Sequence, residues 1–581
     1  MMNSAMHRSF LSPSRLKAKT APSGGSEPKA QRGGLFLSPS RLKAKTAPLG
    51  DEPGHRAVPA DCPVPGESER RASREVDSEP KARRGGLFLM VTLVTALAGC
   101  SLAPTYERPE APVSAAYPTG EAYTQPGQSQ GTAQGPVADI GWRDFYSDPL
   151  LQKLISMALT ANRDLRVAAL NVEEARAQYR IQRADLLPGV GVGGDGSVQR
   201  LPADLSSTGS SNITRSYQVG GTASWELDLF GRIRSLSDQA LETYLAQDET
   251  RIATQLSLIS ETATAYLTLR ADQELLSLTQ STLTSQQDSY QLTKQSYDAG
   301  VATELDLSQA EVSLRTAQRD LSTYTRLVAQ ARNALVLLVG QPLPDDVVAQ
   351  LDQAKTLPDG IVPESLPAGL PSDLLARRPD IRAAEHQLKA ANAYIGAARA
   401  AFFPTISLTG SAGTASSSLG GLFDAGSGAW SFAPSITMPI FAGGSLWAGL
   451  DVAKVRKNIQ IATYEQTIQT AFREVADALA GQGTYQTQIV AQQQLVAAYQ
   501  RAYDLSRQRF DQGVDDYLSV LDSQRSLFAA QQVLVETRLS RLSNLITLYQ
   551  VLGGGWTEKT VAAQDVGTAA AAQGGATSAV K

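Results

Sequence analysis

RIRSLSDQALETYLAQDETRIATQLSLISETATAYLTLRADQELLSLTQSTLTSQQDSYQLTKQSYDA, residues Arg232–Ala299, runs for 68 positions without a glycine or a proline. At 1.5 Å per residue this is enough for one helix of roughly 100 Å, far beyond the span of an ordinary domain. Gly300 ends the run, and Val301–Val339 then continues for 39 positions free of both residues. There Leu307, Ala310, Leu314, Ala317, Leu321, Tyr324, Val328, Ala331, Leu335 and Leu338 recur at steps of three and four. Such spacing lays an apolar seam along one side of a helix and predicts coiled-coil packing.

The same plan is written twice. At an offset of 216, Leu159, Asp164, Arg166, Arg183, Pro188 and Gly194 meet Leu375, Asp380, Arg382, Arg399, Pro404 and Gly410. Further on the offset becomes 213, and Glu261, Leu292, Asp298, Gly300, Val301 and Gly340 meet Glu474, Leu505, Asp511, Gly513, Val514 and Gly553. Each half reads as a helix, two strands and two further helices. Leu150–Leu187 reads as one helix, stopped by Pro188 because a proline disfavours the α region for the residue before it. Val190, Val192 and Val198, then Ile406 and Leu408, mark alternating strands, with return strands through Tyr217–Leu229 and Trp430–Ile440. The second copy of the seam keeps Val520, Leu527, Ala530 and Leu534 and loses its pattern at Arg541. Four strands are too few to close a membrane barrel, and an open edge cannot face lipid. Either they form a small soluble sheet, or several chains pool them; three chains would supply twelve.

Ahead of the repeats stands a leader. FLSPSRLKAKTAP at Phe10–Pro22 recurs word for word at Phe36–Pro48, and such low-complexity text cannot bury a core. Lys81, Arg83 and Arg84 then precede the apolar run Leu87–Ala98, too short to span a bilayer, so residues 81–99 read as a signal peptide. The run ends in Leu97-Ala98-Gly99-Cys100, which resembles a lipobox; Cys100 is expected to carry a thioether-linked lipid and to be the mature N-terminus. The expected division is a low-complexity leader at 1–80, the signal peptide at 81–99 and a lipidated N-terminal segment at 100–140. Repeats at 141–345 and 372–556 follow, joined by a linker at 346–371, with a disordered tail at 557–581.

Residues 1–99 hold 16 of the 53 basic and 9 of the 57 acidic side chains, so the mature part carries a net charge of −11. That surface repels nucleic acid. Two cysteines, Cys62 and Cys100, exclude a disulfide framework, and three scattered histidines give no metal centre; His386 reads as an ordinary helix residue. No nucleophile-elbow, P-loop or zinc-helix motif is present, so no enzyme and no cofactor beyond the covalent lipid is expected.

Several stretches together resemble the TolC family of outer-membrane efflux proteins, in its lipoprotein branch. They are Leu102-Ala103-Pro104-Thr105-Tyr106-Glu107-Arg108-Pro109, Trp142-Arg143-Asp144-Phe145, Trp225-Glu226-Leu227-Asp228-Leu229-Phe230-Gly231-Arg232, Pro439-Ile440-Phe441-Ala442-Gly443-Gly444, Ala471–Leu479 and Phe510-Asp511-Gln512-Gly513-Val514. The resemblance spans about Cys100 to Trp556. It implies an α+β membrane protein built on a duplicated helix–hairpin–two-long-helices unit. It further implies a homotrimer, with a twelve-stranded barrel in outer-membrane lipid and a long periplasmic helical barrel. Turns at Gly300-Val301 and Gly513-Val514 would form the tip that meets a periplasmic membrane-fusion adaptor and an inner-membrane RND-type pump. A gate would map to Leu518 and Asp522, with Arg525 as partner. Residues four apart share a helix face, and threefold symmetry turns them into an apolar ring and an acidic ring. The equivalent of Asp522 in the first half is the uncharged Gln309.

The leading expectation is thus a passive exit duct for small molecules. A protein-secretion duct of type I is the nearest alternative, and a non-conducting coiled-coil scaffold the alternative of another class. The intact mass of the mature protein should equal a chain starting at Cys100 plus acyl groups. Any other start, or no acyl mass, overturns the anchor.

Overall fold

The computed structural model describes residues 101–123, 137–207, 209–367, 369 and 371–560. Cys100, the leader, the signal peptide and residues 561–581 lie outside the described residues. In chain order the elements are α1 (Trp142–Phe145), α2 (Pro149–Ala161), α3 (Arg163–Ala184), β1 (Gly189–Leu201), β2 (Asn212–Leu227), α4 (Arg232–Asp298) and α5 (Glu304–Val339). There follow α6 (Asp345–Gln353), α7 (Pro371–Arg377), α8 (Pro379–Ala400), β3 (Thr405–Ser416), β4 (Gly428–Thr437), α9 (Ser445–Asp511) and α10 (Tyr517–Val551). The two long helices, α4 and α9, have 67 residues each. Among the described residues no helix is long and apolar enough to cross a membrane.

The duplication extends to backbone angles. Gly300 and Gly513 both take φ of 74°, and Gly340 and Gly553 take 75° and 82°. At the first pair the amide of Gly300 donates to Tyr297 O and that of Val301 to Ser296 O; Gly513 donates to Phe510 O and Val514 to Arg509 O. These paired bonds satisfy the last carbonyls of α4 and α9 and reverse the chain, which only a residue tolerant of the left-handed region allows. The next helices start on side-chain caps: a reciprocal Thr303–Asp306 box for α5, and Asp516 accepting from the Ser519 amide for α10.

Three sequence expectations need correction. Leu150–Leu187 is not one helix: Asn162, at φ −61° and ψ 137°, separates α2 from α3. Its Oδ1 accepts the Leu165 amide and its Nδ2 donates to Leu338 O, each at 2.9 Å. Asparagine is among the best N-caps, so a run free of glycine and proline can still break. The repeat partner Arg378 breaks the second half, and its Nη1 donates to Val551 O at 3.2 Å. The 346–371 stretch is no loose connector: α6 lies in it, and Val347, Leu351, Leu357, Ile361, Val362 and Leu366 are buried. Arg270 donates to Ala354 O and Thr356 O, while Gln482 both accepts from and donates to the Leu366 backbone. Those remote side chains satisfy backbone groups that a buried loop would otherwise leave orphaned. Finally, the packed chain runs past Trp556, because the Trp142 and Arg143 amides donate to Thr557 O and Glu558 O and the Thr560 amide to Asp144.

These segments gather into one belt-like core around the middle of the long helices. It joins Leu151, Leu154 and Ile155 of α2, Ile259–Leu275 of α4, Ile381 and Leu388 of α8, and Leu545–Tyr549 of α10. Tyr549 stacks on Phe145 at 3.8 Å and donates to Ile140 O. After Arg541 the apolar positions of α10 therefore leave a one-sided seam because neighbours surround the helix.

Gly340 and Gly300 share one backbone conformation but not one environment. A methyl on Gly340 would sit 2.5 Å from Ala161 O, whereas one on Gly300 meets nothing within 4 Å. Gly300→Ala should cost only the left-handed penalty of about 1–2 kcal/mol. Gly340→Ala should lower the thermal midpoint distinctly more, and equal midpoints would refute the close approach at the belt.

Candidate functional site

The four strands form one antiparallel sheet in the order β1-β2-β3-β4, with a register free of bulges. Pairings such as Val190↔Ala223, Trp225↔Leu408, Leu408↔Pro434 and Ala412↔Trp430 place apolar side chains on one face. Val192, Val198, Ile213, Val219, Ile406, Phe432 and Ile436 share it. The other face is polar: Ser407 bonds Ser435 at 2.8 Å, Ser411 bonds Ser431 at 2.7 Å, and Gln218 donates to Asp195 at 3.3 Å. Strands of 10 to 16 residues suit a tilted crossing of a bilayer. Val192, Trp430 and Ile436 are largely exposed, so among the described residues nothing covers this part of the apolar face. Among the described residues the outer edges of β1 and β4 are unpaired.

The stretch Trp225–Arg232 builds the corner between sheet and helix. Asp228 accepts the Ile233 and Arg234 amides at 3.1 and 2.8 Å, capping the first turn of α4. Gly231 turns the chain at φ 72°, and Arg232 binds Glu226 through two bonds of 2.9 and 2.8 Å. Trp225 Nε1 donates to Leu186 O, and Phe230 stacks on Phe403 at 4.8 Å. Strand and helix thus meet in a rigid joint.

At the opposite end of the long helices the two turns expose Val301 and Val514. They differ in charge: Arg509 pairs with Asp515 across the second turn at 2.6 and 2.8 Å, whereas at the first Lys294 pairs with Asp298 inside the last turn of α4 at 3.1 Å. The Arg509 hydrogen bond keeps the Asp515 carboxyl below its usual range. Leu518, Asp522 and Arg525 lie on one exposed strip of α10, and Arg525 pairs with Asp522 inside the helix. The opposite strip, Val520, Leu521, Gln524 and Leu527, is buried. Gln524 is tied to α4, donating to Ser285 Oγ and accepting from Gln286 Nε2, both at 2.9 Å. The three residues therefore point away from their own α4.

A clasp that sequence reading missed fixes the N-terminal strap. Arg399 donates to Leu102 O and Asn392 to Pro104 O, so the described chain begins beside the end of α8 that feeds β3. Tyr106 and Arg108 then reach Glu385, Arg108 through bonds of 3.1 and 2.7 Å, with Lys389 at 3.3 Å. Burial raises the Glu385 pKa, but the hydrogen bonds and charges of Arg108 and Lys389 outweigh it and hold the carboxyl below its usual value. The extended Pro-rich text around Tyr106 gives no local sign of that partner. Among the described residues no group of His, Cys, Asp and Glu is gathered to hold a metal ion.

Comparison with known proteins agrees with this geometry. The model of the Outer membrane efflux protein family matches residues 154–341 and 370–554, one stretch in each repeat. Toluene efflux pump outer membrane protein TtgC of Pseudomonas putida is 52% identical over 475 residues, covering 81% of this chain and 96% of that one. Outer membrane protein OprJ of Pseudomonas aeruginosa is 45% identical over 463 residues, covering 80% and 94%. The open-state MtrE outer membrane channel of Neisseria gonorrhoeae superposes with a TM-score of 0.69 at 41% identity, covering 80% of this chain and all of that one. The CmeC outer membrane channel of Campylobacter jejuni gives 0.72 at 25% identity, covering 81% and 98%. The chain belongs to the outer membrane efflux protein family.

Proposed function

We propose that three copies of this chain form the outer-membrane exit duct of a tripartite efflux pump, a passive path for small molecules. An inner-membrane RND-type pump, coupled through a periplasmic adaptor, supplies the energy. The observation that carries this reading is the sheet, apolar on one face, polar on the other, and open at both edges. Lipid cannot satisfy the backbone groups of an open edge, so β4 of one copy must pair with β1 of the next. Eight strands from two copies would enclose only side chains; twelve from three leave a lumen. The polar face then lines the path, and the apolar face meets lipid. A lipid on Cys100 fits this arrangement, since the strap starts at the base of the sheet.

Repeat equivalence supports ring closure independently. α8 packs on both its own long helix α9 and the preceding one, α4, whereas α3 packs chiefly on α4. The face of α3 that corresponds to the second contact is bare: Ile181 is 69% exposed where its equivalent Ala397 is 7%. In the closed ring that face would meet α9 of the neighbouring copy. His386 touches Glu242 at 2.6 Å, and the offsets turn this pair into Leu170 and Val455. Both are apolar and exposed, at 52% and 55%.

In this assembly α4, α5, α9 and α10 of each copy continue the path into the periplasm. The turns at Gly300-Val301 and Gly513-Val514 are the adaptor-contacting tips. Leu518 and Asp522 ring the axis near that end as the gate, and Arg525 offsets the repulsion among three Asp522 carboxylates.

Native mass measurement in detergent should give three chains, and Leu170→Cys/Val455→Cys should cross-link copies while either single change does not. A stable monomer in lipid would refute the assembly. Conductance across planar bilayers should rise severalfold in Leu518→Ala/Asp522→Asn without loss of trimer, and Asp522→Asn alone should weaken cation preference. Unchanged conductance and selectivity would place the closure elsewhere, and a trimer that passes no current would refute the duct.

A further inference from the structure

In the two hairpins and their loops, 189–227 and 405–437, Arg200 and Arg215 are the only basic residues. The register brings them together: Arg200 pairs with Ile213, and Val198 with Arg215, so the two arginines are diagonal neighbours. Diagonal residues on one face lie roughly 7–8 Å apart, within reach of a shared ligand. Both point to the apolar face, beside Val198 and above Val192. Both are exposed, and neither side chain has a hydrogen bond or ion pair among the described residues. The acidic side chains of the strands, Asp195 and Glu226, belong to the opposite face by alternation, and Asp204 and Asp424 lie in the loops.

An arginine on a lipid-facing wall is costly at mid-bilayer and tolerated at the interface. Arg200 lies eleven residues along β1 from Gly189. At about 3.4 Å per residue and a tilt of 35–45°, that is about 26–31 Å of height, enough to clear an apolar band of about 25 Å. The pair therefore stands at headgroup level on the side away from the helices. Tyr217 lies on the same face one step nearer the membrane centre, its ring 3.2 Å from where a Gly196 Cβ would be. Two guanidinium groups at headgroup height over an aliphatic wall match a phosphate that carries acyl chains.

We infer that Arg200 and Arg215 jointly bind a phosphate of a phosphorylated outer-leaflet glycolipid of the lipid A class, one per chain, with its acyl chains along Val192 and Val198. This rests on the duct reading, because it requires the apolar face to meet lipid and the far end of the sheet to reach the outer leaflet. The outer position selects this glycolipid over glycerophospholipids of the inner leaflet.

Native mass spectrometry of the purified full-chain trimer tests it, with bisphosphorylated lipid A, dephosphorylated lipid A, phosphatidylglycerol and inorganic phosphate as probes. Up to three bisphosphorylated lipids should bind each trimer, and removing their phosphates should weaken binding about tenfold. Arg200→Gln/Arg215→Gln should weaken it equally, and inorganic phosphate should not displace the lipid. Equal binding of phosphorylated and dephosphorylated lipid A to the unaltered protein would overturn the inference, whatever the variant does. Equal binding of phosphatidylglycerol, displacement by inorganic phosphate or undiminished binding by the variant would overturn it too. Arg200→Lys/Arg215→Lys, which keeps the charge, serves if the glutamine variant fails to assemble. Bilayer conductance of the same preparation separates the two readings: current without phosphate-dependent binding defeats this inference alone, while absence of current defeats the duct.

Discussion

Backbone amides and carbonyls at the edge of a sheet have no partner in hydrocarbon, and each one left bare costs several kcal/mol. Among the described residues the sheet has two such edges, on strands of 13 and 10 residues. Its apolar face, with Val192, Trp430 and Ile436 bare, is equally unsuited to water. Neither solvent suits such a sheet in a single copy, and that is the physical ground for the proposed assembly. The rigid corner at Asp228 and Gly231 passes that constraint on, because it fixes the direction in which each long helix leaves the strand.

Helices of 67 residues are held by more than a seam. A narrow stripe gives each turn little apolar area, and near Gln524 side-chain hydrogen bonds to Ser285 and Gln286 of α4 add to the burial of Val520, Leu521 and Leu527. The belt provides the missing burial: α2, α6, the 346–371 segment and Thr557–Thr560 all close on the middle of the helices. Its chemistry is mixed, with apolar residues such as Leu154 and Leu351 beside backbone groups satisfied by Arg270 and Gln482. In the proposed duct the two ends of the helices would then form a thin wall between two aqueous spaces.

Sequence reading recovered what local rules encode. Gly300 and Gly513 were legible as turns because a left-handed residue after a long helix is a strong and local demand. The alternation Ile406-Ser407-Leu408-Thr409 was legible as a strand for the same reason. The break at Asn162 was not, since its second partner, Leu338 O, lies 176 residues away. The packing of 346–371 escaped because Arg270 and Gln482, which make its burial tolerable, are 84 and 116 residues distant. For the same reason nothing in the Tyr106–Arg108 text announces Glu385, 277 residues on from Arg108. The strip holding Leu518, Asp522 and Arg525 follows from a resemblance alone, and in one chain its three side chains are simply exposed.

The two helical turns have one backbone and two chemistries: Gly300-Val301-Ala302-Thr303 is uncharged, while Gly513-Val514-Asp515-Asp516 carries acid and the Arg509 pair. Three copies around an axis would present six turns of nearly equal shape but of two alternating kinds. A partner built from six identical units would then occupy two non-equivalent sets of three positions, with separate affinities and separate responses to salt. In such a trimer, tandem duplication inside one chain would convert a sixfold outline into a threefold code, readable by a partner at a surface whose shape alone gives no hint of it.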